Sequence, residues 1–227
     1  MFETTLGHNK YGAYCVPNSS LKTSPPAKKI ISGEVYEPDT IDFIINNCKN
    51  GDVIHAGTYF GDFLPAIANN IAAGAKIWAF EPKKEHYFCA VETLKLNKID
   101  NTSLMNVGLG AEQGTQILQT TTDDGRVWGG GSRIVSENKP NDCTEEISVV
   151  TIDGIIPDNR MVSILHLDVE GFETSALVGA KETIKRCLPI LILETMPTAS
   201  WIKNNLSPLG YSVKKTVHQN TILTVGR

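Results

Sequence analysis

Three acidic residues follow runs of apolar residues that have the composition of buried β-strands. They are Glu81, Asp168 and Glu194. Because the carboxyl ends of neighbouring parallel strands share one edge of an open sheet, we expect the three side chains to face one crevice. Carboxylates in such a crevice can accept hydrogen bonds from ligand hydroxyls, take up a proton or hold a divalent cation. These residues therefore define the candidate site.

A glycine turn precedes the first of these acids. Gly57 and Gly61 follow the apolar run 53–56, and Glu81 comes 20 residues after Gly61, close to the spacing of roughly 20 at which an acid binds a ribose. The pattern G-x-x-x-G lacks the third glycine of a dinucleotide fingerprint and the lysine of a P-loop. A ligand with a ribose but no pyrophosphate fits best, and S-adenosylmethionine is the common one.

The elements that must position these residues alternate between helices and strands. From Glu37 to Gly110 the periodicity predicts the order αβαβαβ, with Asp62 as a helix cap. The crossover rule builds this order into a parallel sheet. Two β-rich runs, 211–217 and 221–225, predict a terminal hairpin. Residues 1–33 show little periodicity and predict an irregular N-terminal arm, which leaves 34–227 as a single domain.

A polar, glycine-rich stretch interrupts this order at about 111–150. Insertions of this length are uncommon in compact domains unless they are functional or disordered. The sequence leaves two interpretations open. The stretch is either a solvated surface insertion or a lid over the acceptor, in which case its candidate contacts are Arg126, Trp128, Ser132 and Arg133.

Composition excludes several function classes. The 227 residues carry a net charge of −4 with a pI near 5.7, so nothing attracts the chain as a whole to nucleic acid or to an anionic membrane. The five cysteines are scattered and never spaced as CxxC, which favours reduced thiols. No apolar run approaches the 18 residues of a membrane span. We therefore expect a cytoplasmic protein with a small-molecule partner and neither a nucleic-acid nor a membrane partner.

Five motifs together resemble the FkbM-type family of S-adenosylmethionine-dependent methyltransferases. They are GDVIHAGTYFGDF, WAFEP, NVGLGAEQGT, LHLDVEGFE and LPILILETMP. The resemblance covers roughly 34–197, and LDVEG is its most specific piece. It implies an α/β fold of class I methyltransferase type. This is a Rossmann-like three-layer sandwich, with a seven-stranded, mostly parallel sheet and a C-terminal antiparallel hairpin.

The resemblance also implies roles for individual residues. It assigns the cofactor to residues at the strand ends, namely His55, Gly57, Thr58, Gly61, Asp62, Glu81, Pro82, Gly108, Leu109 and Asp168. Glu81 would bind the ribose, and Asp168 and Glu170 would lie near the methyl donor and acceptor. Apart from the resemblance, the lid interpretation and the strand-end position of Glu194 predict contacts of the acceptor with Arg126, Trp128, Arg133 and Glu194.

Two histidines depart from the family pattern. His55 stands where the family has an acid, and His166 where a lysine is usual. A neutral His55 can accept one hydrogen bond but supplies no negative charge. Asp62 or Asp168 would then bind the ammonium group of the cofactor. His166 is either a group facing the crevice or a satisfied core histidine.

The chemistry expected is O-methylation, in which the protein aligns an acceptor hydroxyl and removes its proton. Asp168 is the first candidate base, followed by Glu170 and His166. A less favoured version places Mg²⁺ between Asp168 and Glu194. Two other classes stay open. One is a methyltransferase-like domain that binds ligand without catalysis, and the other, disfavoured by the missing third glycine, is an NAD-dependent oxidoreductase. The sequence leaves the oligomeric state open, a homo-oligomer included.

Overall fold

The computed structural model describes residues 2–48, 51–121, 131–135 and 143–226. Within these ranges the strands are β1 (Thr4–Asn9), β2 (Gly12–Pro17), β3 (Asp52–Ala56), β4 (Ile77–Phe80), β5 (Thr102–Met105), β6 (Gly108–Leu109), β7 (Gly114–Gln119), β8 (Arg133–Val135), β9 (Thr144–Val150), β10 (Val162–Leu167), β11 (Ile190–Leu193), β12 (Tyr211–Val217) and β13 (Asn220–Val225). The helices are α1 (Pro25–Ile31), α2 (Pro38–Asn47), α3 (Leu64–Ala68), α4 (Lys84–Leu96), α5 (Ile152–Ile155), α6 (Glu173–Val178), α7 (Lys181–Cys187) and α8 (Ala199–Asn205).

A seven-stranded sheet forms the centre of the molecule. Its spatial order is β12-β13-β11-β10-β3-β4-β5. The strands from β11 to β5 pair in parallel, while β13 runs antiparallel to both β11 and β12. The prediction of a mostly parallel seven-stranded sheet is confirmed.

Helices cover both faces of this sheet because side chains of successive strand residues point to opposite sides. In β3, Val53 packs on the face that carries α2 and α3, in a cluster with Ile44 and Ile67. The next residue, Ile54, packs on the other face in a cluster with Leu177 of α6. The central strands are buried on both sides, which fixes the edge at which their carboxyl ends emerge.

A four-stranded sheet with the order β6-β9-β7-β8 contains the described part of the predicted insertion. Its own small core consists of Leu118, Ile147 and Val149, with Ile134 packed against them. Its first strand, β6, follows β5 closely and begins at Gly108. The small sheet therefore begins beside the edge of the main sheet that carries the candidate site.

The prediction of an irregular N-terminal arm was wrong. Strands β1 and β2 form an antiparallel hairpin in which Thr4 pairs with Pro17. The Cys15 amide donates to Thr93 Oγ1 of α4 at 3.0 Å, and the side chain of Asn97 bonds both the N–H and the C=O of Ala13. Partners some 80 residues away hold this segment, so local periodicity could not reveal it.

One helix also differs from expectation. Helix α3 contains only Leu64–Ala68, and its N-cap is Phe63, with no side-chain cap. Asp62 is therefore not the cap, and its carboxylate is buried elsewhere. None of the described helices is both long and apolar enough to cross a membrane.

Candidate functional site

The three acids predicted from the sequence lie at one edge of the main sheet. Backbone bonds join neighbouring strand ends there: Asp168 N donates to Ala56 O at 3.1 Å, and Glu194 N to Leu167 O at 3.2 Å. Glu81 lies at the end of β4, the next strand on the other side of β3. Parallel strands have thus brought together residues more than 100 positions apart, as expected.

Gly57 allows the strand ends to approach this closely. Its φ is +78°, and a Cβ built on it would lie 1.7 Å from the backbone oxygen of Asp168. Any side chain at this position would therefore collide with the backbone that carries the candidate acid. This explains the glycine that ends β3.

A first cavity, here called the crevice, opens beside Gly57. Its lining residues are Ala56, Gly57, Phe80, Glu81, Pro82, His86, Val107, Gly108, Leu109, Leu118, Ser132, Ile134, Asp168, Val169, Glu170 and Phe172. Most of them are apolar, and Glu81 is the acid at the end of β4. Apolar walls with few polar groups are typical of a site for a small organic ligand.

Glu81 is held by the backbone at the rim of the crevice. Its Oε2 accepts from Tyr59 N at 2.8 Å, and its Oε1 accepts from Lys83 N at 2.9 Å. Burial raises the pKa of Glu81 to about 7, against the opposing effect of these N–H groups and the charge of Lys83. Each oxygen retains a free lone-pair direction, so the carboxyl group can still accept from two ligand hydroxyls.

A second cavity, here called the acidic cavity, adjoins the crevice. Its lining includes six carboxyl groups, those of Glu37, Asp62, Glu81, Asp168, Glu170 and Glu194. No lysine or arginine is among its lining residues in the part of the chain that the structure describes. The two cavities share Gly57, Glu81, Asp168 and Glu170. A ligand in the crevice can therefore extend into a space of strongly negative character.

Burial and the charges of neighbouring carboxylates raise the pKa values of Asp62, Asp168 and Glu170. Burial, followed by the charge of Glu194 and a hydrogen bond to it, raises the pKa of Asp168 well above its ordinary value. Burial and then Glu194 raise the pKa of Glu170 to about 7, although Arg133 acts to lower it. Burial is also the main reason that the pKa of Asp62 rises to about 7.

Three of these carboxyl groups are close enough to share one cation. Asp168, Glu170 and Glu194 each offer an oxygen, and these atoms lie within 4.8 Å of one another. The sequence suggested Asp168 and Glu194 as a metal pair, and the structure adds Glu170. Carboxylate oxygens are the ligands that Mg²⁺ prefers, although acidic groups often cluster without a metal.

His55 and His166 form a buried pair in the wall of the acidic cavity. They occupy paired positions of β3 and β10, and their Nδ1 atoms lie 2.9 Å apart. Burial lowers the pKa of His166 to about 4, and burial together with His166 lowers the pKa of His55 well below its ordinary value. Both rings are therefore neutral near pH 7, and His55 carries no charge for the cofactor.

The other predicted residues divide into four groups. Pro82, Gly108 and Leu109 line the crevice. Thr58 and Gly61 line neither cavity, and the Thr58 hydroxyl donates to His55 O at 3.1 Å. Arg126 and Trp128 lie outside the described residues. Arg133 is exposed on β8, close enough to Glu170 to affect its pKa.

Sequence reasoning missed His86 and Glu37. His86 lines the crevice with its Nδ1 3.7 Å from Glu81 Oε1, and its buried Nε2 has no partner among the described residues. Glu37 lines the acidic cavity from the N-terminus of α2. Both lie outside the strand ends and glycine turn on which the sequence argument depended. The sequence offered one signal for His86, because a helix that follows a strand turns its first residues toward the edge of the sheet at which that strand ends.

Comparison with known proteins supports the family resemblance. A family model described as the methyltransferase FkbM domain matches residues 55–212. No curated protein matches the chain in sequence. The family match and the mostly parallel seven-stranded sheet fit the predicted class I methyltransferase fold.

Several solved structures resemble the chain. One is a methyltransferase FkbM from Methylobacillus flagellatus KT, with 18% identity and a TM-score of 0.48, and the alignment covers 76% of this chain but only 42% of that one. A SAM-dependent methyltransferase from Aquifex aeolicus has 10% identity and a TM-score of 0.47, with 92% and 97% covered. A Pyrococcus abyssi tRNA (uracil-54, C5)-methyltransferase in complex with S-adenosyl-L-homocysteine has 9% identity and a TM-score of 0.49, with 97% and 43% covered.

Proposed function

Because the chain belongs to the FkbM methyltransferase domain family, we propose that it transfers a methyl group from S-adenosylmethionine to a hydroxyl group of a small acceptor, a sugar or another hydroxylated metabolite. The observation that carries this proposal is that two adjoining cavities, the crevice and the acidic cavity, share Gly57 in their lining. The crevice is mostly apolar and ends at Glu81, an acid suited to a ribose. The other contains several groups able to take a proton. A methyl donor and an acceptor need such neighbouring spaces.

The residues of the crevice fit the nucleoside part of the cofactor. Glu81 retains two acceptor directions for the ribose hydroxyls. Pro82 and Leu109 offer apolar surface for the adenine, and the buried Nε2 of His86 is a polar atom without a partner among the described residues. When bound, S-adenosylmethionine would supply a methyl group on a positively charged sulfur. The negative character of the acidic cavity favours such a charge.

The raised pKa of Glu170 supports a change in the expected base. A general base is most effective when its pKa is near the working pH, and the pKa of Glu170 is about 7. Asp168 was the first candidate from the sequence, but burial and Glu194 raise its pKa well above the ordinary value for an aspartate. We therefore assign proton removal from the acceptor hydroxyl to Glu170, with Asp168 donating a hydrogen bond to Glu194.

The acidic cavity also supports a small acceptor over a nucleic acid. The carboxyl groups that line it would repel the phosphates of a polynucleotide. A neutral polyol suffers no such repulsion, and its hydroxyl groups can donate to the carboxylates.

The test begins with calorimetric titration of S-adenosylmethionine and S-adenosylhomocysteine, with NAD as the control ligand. We expect the first two to bind and NAD not to bind. Turnover is then measured with labelled S-adenosylmethionine on a panel of sugars and other polyols. Binding of NAD alone would overturn the proposal. Binding without turnover would favour the second candidate, a ligand-binding domain without catalysis, to which the neutral His55 lends support.

A further inference from the structure

The hydrogen bond between His55 and His166 raises the question of which ring carries the shared proton. A neutral imidazole has one N–H and one bare nitrogen. Since the two Nδ1 atoms are 2.9 Å apart, one ring donates from Nδ1 and must be bare at Nε2. The other ring accepts at Nδ1 and must carry its proton on Nε2. Both Nε2 atoms are buried without a partner that meets hydrogen-bond geometry among the described residues.

Asn220 distinguishes the two arrangements. Its side-chain Nδ2 donates to Glu37 Oε2 at 3.0 Å, which leaves its oxygen facing away from Glu37. That oxygen is buried and unpaired, and the amide lies close enough to His166 to raise the pKa of the ring. An amide oxygen can only accept a hydrogen bond. A proton on the Nε2 of His166 is the arrangement that this acceptor favours, and His55 then donates from Nδ1.

This arrangement leaves the Nε2 of His55 as a bare acceptor. The side chain of His55 is 2% exposed and lines the acidic cavity beside Gly57 and Asp62. Its ring is also fixed by stacking on Phe63, with centroids 5.3 Å apart and planes 10° from parallel. A fixed, neutral acceptor binds a hydrogen-bond donor. The donors of the cofactor are its ribose hydroxyls, its adenine amino group and the ammonium of its amino-acid end. Under the proposed function the crevice takes the ribose and the adenine, which leaves the ammonium for His55.

We propose that Glu37, Asn220 and His166 are positioning residues that hold His55 with an unprotonated Nε2, and that this nitrogen accepts a hydrogen bond from the ammonium group of the methyl donor. The inference rests on the proposed function, since it concerns the same cofactor. These three side chains orient the ring of His55. They do not relay protons, because the amide oxygen of Asn220 accepts a hydrogen bond and has no proton to give to the ring. The charge of the ammonium is balanced by the surrounding carboxylates and not by His55.

Nuclear magnetic resonance of protein labelled with ¹⁵N-histidine tests the arrangement directly, without ligand. We expect the His55 ring to show an unprotonated Nε2 and a protonated Nδ1, and the His166 ring to show the reverse. The opposite assignment, or a doubly protonated His55 at pH 7, would overturn the proposal. This measurement uses the wild-type protein and does not depend on any variant folding.

Affinity measurements test the ligand. S-adenosylhomocysteine contains the amino-acid end and 5′-methylthioadenosine lacks it, while both contain the ribose. In Asn220→Leu we expect binding of S-adenosylhomocysteine to weaken about tenfold, the scale of one hydrogen bond to a charged group, and binding of 5′-methylthioadenosine to change less than about twofold. The exposed Thr216→Ala in the same hairpin is the matched control and should change neither.

The outcomes separate this inference from the proposed function. Equal weakening of both ligands by Asn220→Leu would show that the asparagine acts only on the fold, and would overturn the inference. If S-adenosylhomocysteine does not bind the wild-type protein at all, the proposed function fails and the ammonium contact fails with it. The ¹⁵N measurement would still report whether the chain of bonds exists.

Discussion

The crevice and the acidic cavity accommodate buried carboxyl groups in different ways. In the crevice, two backbone N–H groups hold Glu81 in a single geometry. In the acidic cavity, Asp168 and Glu170 lie close to Glu194, and burial together with the charge of Glu194 raises the pKa values of Asp168 and Glu170. The first arrangement fixes an acceptor for hydrogen bonds. The second arrangement holds carboxyl groups that can take up or release a proton near neutral pH. Binding and proton transfer are thus assigned to neighbouring regions that can be tested separately.

The largest effect should come from the acidic cavity. In Glu170→Gln we expect turnover to fall by about 100-fold or more, the usual scale for loss of a general base, while S-adenosylhomocysteine binds almost as before. Asp168→Asn should lower turnover less, because a protonated Asp168 and an asparagine both donate a hydrogen bond to Glu194. Steady-state kinetics with labelled donor measure both variants. A larger loss in Asp168→Asn would return the role of base to Asp168.

The crevice should show the opposite behaviour. In Glu81→Gln we expect S-adenosylhomocysteine affinity to fall by about 1.5–3 kcal/mol, the value of hydrogen bonds to a charged group. Turnover at saturating donor should change little. Titration calorimetry measures the affinity, and Glu92→Gln on the partly exposed side of α4 is the matched control. Unchanged affinity would mean that Glu81 serves only the backbone of Tyr59 and Lys83.

Buried carboxyl groups of both regions should contribute less stability to the unliganded protein as the pH rises. Glu81 and Asp62 have pKa values raised to about 7 by burial, so these groups bind protons more tightly in the folded state than in the unfolded state. Their stabilisation is complete below pH 4 and is lost as the pH rises to about 7. The buried His55, His86 and His166 have lowered pKa values and act in the opposite direction over the same pH range. The quantity to measure is therefore the free energy of unfolding of the wild type in urea minus that of Asp62→Asn, which we expect to fall by about 1 kcal/mol or more from pH 5 to pH 8.

A variant provides the control for this pH effect. Asp62→Asn should reduce the slope, since the amide does not ionise. Asp52 has a lowered pKa because of Arg160, Trp78 and the Lys76 amide, against the effect of burial. Its contribution is lost only below about pH 4 and so lies outside the measured window. A difference between the wild type and Asp62→Asn that increases from pH 5 to pH 8 would contradict the raised pKa of Asp62.

The smallest effect is expected from metal removal. The carboxyl groups of Asp168, Glu170 and Glu194 are close enough for one cation, yet a hydrogen bond between Asp168 and Glu194 already reduces the repulsion between these two groups. We expect EDTA to leave turnover unchanged. Activity that is lost with EDTA and restored by Mg²⁺ would instead assign these residues to a metal-assisted reaction.

Much of the main sheet was readable from the sequence because its strands are short apolar runs that end in acids or glycine. The sequence predicted strands directly before Glu81, Asp168 and Glu194, and β4, β10 and β11 end at the residues that precede these acids. The convergence of Glu81, Asp168 and Glu194 also followed from parallel pairing. These features depend on local patterns and on one general rule of sheet geometry.

Long-range side-chain contacts could not be read in the same way. The N-terminal hairpin depends on Thr93 and Asn97 of α4, and the contact of Glu37 with Asn220 joins residues 183 positions apart. The pairing of His55 with His166 could have been predicted from the sequence, because His55 lies two residues before Gly57 and His166 lies two residues before Asp168. The raised pKa values required the cavity itself, because burial is their main cause.

The two bonds from Glu81 to Tyr59 N and Lys83 N have a consequence for evolution. Under the proposed function, one side chain would both bind the ribose and fasten the glycine turn to the start of α4. A substitution of Glu81 would change ligand affinity and fold stability together, so we expect evolution to tolerate it only after compensating substitutions elsewhere. His86 and Pro82 line the same crevice without comparable bonds from their side chains. Variation in nucleoside preference should therefore accumulate at those two positions first, while Glu81 stays fixed by epistasis.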